Sequence, residues 1–117
     1  MNTSIETSAT STLFDVPSME RGAVMAARHR YLLTRIWDKA TPPVCFIMLN
    51  PSTADHHRDD PTIKRCMGFA RRWGHGGIQV VNLFAYRATD PKELYMLGYS
   101  EAVGPFNQRY IAEALPQ

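Results

Sequence analysis

Six consecutive apolar residues, Val44-Cys45-Phe46-Ile47-Met48-Leu49, stop abruptly at Asn50-Pro51. A run of this length, bounded by turn residues, suits a strand buried on both faces, as in the middle of a parallel sheet. A polar stretch, Asn50–Asp60, follows it. A helix then begins with favourable local chemistry: Asp60 can cap it, and Pro61 suits the first helical position. Ile63, Met67, Ala70 and Trp73 recur at spacings of four and three and so share one face. Gly74 ends the helix. Ile78–Phe84 (IQVVNLF) reads as a second apolar strand. A strand–helix–strand unit of this size joins parallel strands by a right-handed crossover. The fold class is therefore α/β: a small mixed sheet with a central right-handed βαβ unit, helices packed on the sheet, and a shortened Rossmann-like architecture.

The flanking segments are less uniform. Met25–His29 (MAARH) favours helix by propensity, whereas Arg30–Trp37 (RYLLTRIW) is rich in aromatic and branched residues and favours strand. Asp38–Pro43 is a turn, and Glu93–Leu97 and Asn107–Leu115 read as short helices. At 117 residues the chain is one domain. Residues 1–12 are Ser- and Thr-rich and are expected to be disordered, leaving a single α/β domain over 13–117.

Charge is close to balanced, with 13 Lys and Arg against 11 Asp and Glu. Three of the acidic residues (Glu6, Asp15, Glu20) fall in the first twenty positions, which hold no Lys or Arg. Positions 21–117 therefore carry 13 basic against 8 acidic residues, a mild bias toward an anionic partner. Cys45 and Cys66 have no metal-ligand spacing; two buried thiols in a reducing compartment are the favoured reading and a disulfide the lesser one. No apolar run reaches the ~20 residues that span a bilayer, and no secretory signal precedes the domain. A cytoplasmic protein without a membrane partner is expected.

In open α/β sheets, ligands bind beyond the carboxyl ends of the strands. Two polar loops lie there, Asn50–Asp60 and Asn82–Pro91. Asn50 leaves a buried strand and offers an amide at the sheet end. Pro51, Ser52, Thr53 and Asp55 follow it, with hydroxyls that could meet a phosphate; the same residues are also good turn formers. Asn82 interrupts an apolar strand and must pair internally or face the site. Phe84 or Tyr86 could stack on a ring, and Arg87 could hold a phosphate or carboxylate. Lys64, Arg65, Arg71 and Arg72 form two rows at spacings of seven, either a phosphate-binding stripe or a solvated helix face. His56, His57, Asp59 and Asp60 suggest a metal site, but adjacent loop residues seldom converge on one ion, and no metal is assigned. No G-x-S-x-G elbow, G-x-x-x-x-G-K loop or G-x-G-x-x-G fingerprint is present, so no cofactor is expected.

Several segments occur in a recognisable order: R-Y-L-L-T-R-I-W, F-I-M-L-N-P-S-T-A-D, D-D-P-T-I-K-R-C, W-G-H-G-G, V-V-N-L-F-A-Y-R-A-T-D-P and V-G-P-F-N. Over about Arg28 to Ile111 the chain resembles the domain-of-unknown-function 1643 family of bacterial and phage proteins. It is similar, more distantly, to the uracil-DNA glycosylase superfamily. That second resemblance implies a glycosylase-like architecture in which Asn50-Pro51 positions a water and Asn82 reads a base. The glycosylases also carry a late His-containing loop, and the first family a later G-x-P-x-H-P-L-Y-like segment. Neither is found before Gln117.

Three functions follow. A binding module derived from a nucleic-acid- or nucleotide-directed fold ranks first, for instance a phage-type inhibitor. A base- or nucleotide-directed hydrolase resembling a DNA glycosylase ranks second, with Asn50 and Asn82 as its catalytic pair. A metal-dependent nuclease ranks third. The absent closing segment leads to the expectation of a homodimer or a tightly bound protein partner, with contacts between Tyr95 and Leu115.

Overall fold

The computed structural model describes residues 4–9 and 19–116, with side chains from residue 19 onward. Five strands form one sheet: β1 (Ser4–Ala9), β2 (Glu20–Ala26), β3 (His29–Ile36), β4 (Val44–Met48) and β5 (Gly77–Asn82). Their spatial order is β1-β2-β3-β5-β4. The first three strands form an antiparallel meander, and β3 pairs antiparallel with β5. β4 pairs parallel with β5, Val44 opposite Ile78 and Met48 opposite Asn82. Helix α1 (Pro61–Arg72) connects them. The expected β–α–β unit is therefore present, in a mixed sheet.

Several expectations need correction. β4 is an edge strand, not a central one, and Ile47 within it is 48% exposed. An apolar run reports hydrophobicity alone; it does not distinguish a strand with two neighbours from one with a single neighbour. The segment MAARH is not helical. It ends β2 and turns into β3 through Ala27, whose φ is +53°. Met25 and Ala26 gain cross-strand partners in Arg30 and His29, and this pairing overrides local propensity. The expectation of disorder over 1–12 falls partly outside the described residues; Ser4–Ala9 is paired with β2.

Helix α1 starts as its sequence dictates: the Asp60 side chain accepts the Ile63 N–H at 2.9 Å. It ends at Gly74, whose φ of +83° permits the left-handed closing turn. There the Gly74 N–H reaches the Arg71 carbonyl and the His75 N–H the Ala70 carbonyl. The buried face comprises Ile63, Cys66, Met67 and Ala70, packed on Leu33, Ile78 and Val80. Trp73, expected on that face, is 57% exposed and stacks on Phe69. The other sheet face is covered by α3 (Asn107–Ala114), where Tyr110 packs near Val24 and stacks on Tyr31. A 3-10 helix (Pro91–Met96) and α2 (Tyr99–Val103) precede it. Cys45 and Cys66 are free thiols. Among the described residues no helix is long and apolar enough to cross a membrane.

Candidate functional site

The two polar loops leave adjacent strands and stay laced together. The Leu83 N–H donates to the Met48 carbonyl, Phe84 to Leu49, and Ala88 to Pro51, all at 2.9–3.0 Å. Asn50 adds its side chain: Nδ2 donates to the Ala88 carbonyl at 2.8 Å and to the Pro51 carbonyl at 3.1 Å. Arg87 crosses back, with Nε on the Ser52 carbonyl at 3.2 Å and an Nη on Thr53 at 3.3 Å. Turn chemistry at Asn-Pro-Ser-Thr thus builds the wall of a site rather than a free loop.

Between these loops and the start of α1 lies a cavity of about 270 Å³. Asn50, Pro51, Ser52, Asn82, Asp60, Thr62 and Arg30 line it. Asn50 and Asn82, 32 positions apart in sequence, therefore face one space. Asn82 is 1% exposed, and its Oδ1 accepts from Arg30 at 3.4 Å. Its backbone carbonyl is held from behind by Asn107, whose Nδ2 donates to Asn82 at 2.7 Å and to Leu83 at 3.1 Å.

Arg30 is 2% exposed. It donates to the Ala54 carbonyl at 3.1 Å, while its Nε has no partner and no described carboxylate forms an ion pair with it. Burial pushes its guanidinium down to about 10, and the field of Asp60 offsets this only in part. Arg30 remains a cation near neutrality, held in a low-dielectric wall. It points there because of a β-bulge. Val24 faces Leu32 and Met25 faces Arg30, so Tyr31 is the extra residue. The bulge reverses the alternation and brings Arg30 to the α1 side of the sheet.

A second groove, about 260 Å³, adjoins the cavity through Ser52, Ala88 and Thr89. Arg28, Arg87 and Glu93 line it. A third, about 330 Å³ and mainly apolar, adjoins the cavity through Leu49 and Pro91. Phe84, Leu94, Tyr95 and Tyr99 line it.

The structure thus gathers Asn50, Pro51, Ser52 and Asn82 in one cavity, with Thr53 and Arg87 in one adjoining groove and Phe84 in the other. Other candidates lie elsewhere. Asp55 closes its own loop, accepting the His57 and Arg58 N–H groups at 2.9 and 2.7 Å. Burial alone would raise its carboxyl, but these N–H groups outweigh that and hold it below the ordinary range. Tyr86 packs edge-on to His29 beneath the Arg28 guanidinium. Lys64, Arg65, Arg71 and Arg72 are exposed along α1, and Arg71 lies 4.1 Å over Trp37. Asp59 is engaged by Arg35 at 2.8 Å and Arg21 at 3.0 Å, and Asp60 by the Ile63 N–H and the Ala54 N–H. Among the described residues no group of three or more His, Cys, Asp or Glu is placed to hold a metal ion.

Arg30, Arg35 and Asn107 were not singled out from sequence. A signal existed for Arg35, an arginine two positions after Leu33 in an alternating strand. For Arg30 the bulge hides it.

The fold and cavity together define a small α/β domain with a cavity at the carboxyl end of a parallel strand pair, its mostly apolar lining carrying a few polar side chains. The chain belongs to the family described as "Protein of unknown function (DUF1643)", whose profile matches residues 30–117. No curated protein and no solved structure matches it, and the glycosylase resemblance gains no support from either comparison.

Proposed function

We propose that the domain is a binding module for a nucleotide unit, held at the carboxyl end of the β4–β5 pair. The observation that carries this reading is the convergence on one cavity of Asn50, Asn82 and the buried Arg30, which hydrogen-bonds Ala54 and Asn82 but has no ion-pair partner among the described residues. A buried guanidinium that no described carboxylate pairs with directly, beside Asn82, favours an acceptor-rich or anionic ligand. Two arginines against one glutamate in the adjoining groove add to that preference. Asp60, the carboxylate in the cavity wall, is occupied by two backbone N–H groups, which favours binding over proton transfer. The basic residues of α1 supply long-range attraction.

Titration calorimetry with uridine and adenosine monophosphate at low and moderate salt tests this. Binding is expected at low salt, weakening as salt rises. Arg87→Ala should weaken it about tenfold, the scale of one lost charge-assisted hydrogen bond. Reversing Arg71 and Arg72 to Glu should have a smaller effect. No binding at low salt overturns the reading, and release of free base or phosphate during titration would assign a hydrolase instead.

One observation favours a second, compatible reading, in which a protein partner pairs with the sheet. β4 has one strand neighbour, and Ile47 and the following Leu49 are about half exposed. Strand addition at such an edge is a recurrent mode of protein recognition.

A further inference from the structure

The apolar groove beside the cavity contains more aromatic surface than packing requires. Tyr95 is 86% and Tyr99 74% exposed, yet both line the same concave surface with Phe84. Phe84 and Tyr99 meet edge to face at 6.3 Å, so two ring planes at right angles frame the groove. Aromatic side chains left in water at a concave surface are suited to stack on a flat ligand ring.

The position of the groove gives it further meaning. It joins the central cavity through Leu49 and Pro91, and the cavity joins the arginine groove through Ser52, Ala88 and Thr89. An aromatic subsite, a hydrogen-bonding subsite and a cationic subsite therefore follow one another. We infer that Phe84, Tyr95 and Tyr99 form the subsite for the base of a nucleoside monophosphate. Its sugar lies over Asn82 and Asn50, and its phosphate meets Arg28 and Arg87. The assignment rests on the proposed nucleotide-binding function. It specifies which end of the ligand lies where, through charge complementarity at the arginine end and ring stacking at the other.

The test compares adenosine monophosphate with ribose 5-phosphate, by calorimetry, on the wild-type chain and on Tyr99→Ala. Tyr99 is mostly exposed, so its loss leaves the core intact; a melting curve checks this. The nucleotide should bind about tenfold more tightly than the sugar phosphate. Tyr99→Ala should abolish that advantage and leave ribose 5-phosphate binding unchanged. A dinucleotide carrying a 5′-phosphate, run in parallel, distinguishes a free nucleotide from the end of a strand; either source supports the subsite. Equal binding of nucleotide and sugar phosphate, or a Tyr99→Ala effect on both alike, overturns the ring subsite and leaves the anion grip standing. Failure of every phosphate compound to bind overturns both.

Discussion

Replacing Asn107 with Ala perturbs the site from behind without touching its lining. Asn107 is fully buried, and its Nδ2 donates to the carbonyls of Asn82 and Leu83. Two lost hydrogen bonds cost about 1 kcal/mol each net. The Asn82 carbonyl belongs to a residue only 1% exposed, so water cannot readily replace the lost donor, adding roughly 1–2 kcal/mol. The side-chain Oδ1 has no partner, so its removal costs no hydrogen bond. The expected destabilisation is about 3 kcal/mol, equivalent to a fall in Tm on the order of 10 °C for a domain of this size. Urea unfolding followed by tryptophan fluorescence measures it as a lower midpoint with an unchanged slope. Freed from this clamp, Asn82 should also bind ligand less well. A loss below about 1 kcal/mol would refute the argument that Asn107 fixes the end of β5.

Two further predictions concern other parts of the molecule. Burial raises the Asp59 carboxyl, but Arg35 and Arg21 more than offset this and hold it below its ordinary range. Its folded value is thus depressed, so its contribution to stability is fully present above the unfolded value of about 4 and is lost as pH falls through the folded one. Asp59→Asn should flatten that acid limb in pH-dependent urea titrations and, by removing the carboxylate from a buried Arg35 that keeps the Thr34, Asp55 and Arg58 carbonyls, cost about 2 kcal/mol at neutral pH; an unchanged limb would refute the assignment. If β4 is a docking edge, light scattering at high concentration should show a dimer or an added partner that Ile47→Lys dissociates, whereas a monomer unaffected by the change removes that reading. Within the Tyr95–Leu115 segment expected at a contact, Tyr110 is stacked on Tyr31, so a charge there would disturb the core.

Local chemistry made part of this molecule legible. Asp60-Pro61 and Gly74 bracket α1 because capping is decided by neighbouring residues, and the parallel pairing of β4 with β5 follows from the crossover length. The convergence of the two asparagine-bearing loops follows from where such strands end. What sequence could not supply was relational. The antiparallel meander inserts β3 beside β5, and this exiles β4 to the edge, although its run of apolar residues looks central. β2 is short of aromatic residues and gains its order from cross-strand partners. Arg30 enters the site only because Tyr31 is bulged, and a bulge depends on the strand opposite.

The lacing of the two loops has an evolutionary consequence. Leu83, Phe84 and Ala88 hold Met48, Leu49 and Pro51 through main-chain groups, which every residue except proline can supply. Even Arg87 grips carbonyls rather than side chains. The side chains of Ser52, Thr53 and Thr89 can therefore be exchanged without dismantling the frame that displays them. Ligand preference can drift at these positions while the shape of the cavity is inherited, so related chains could share this pocket and differ in what it accepts.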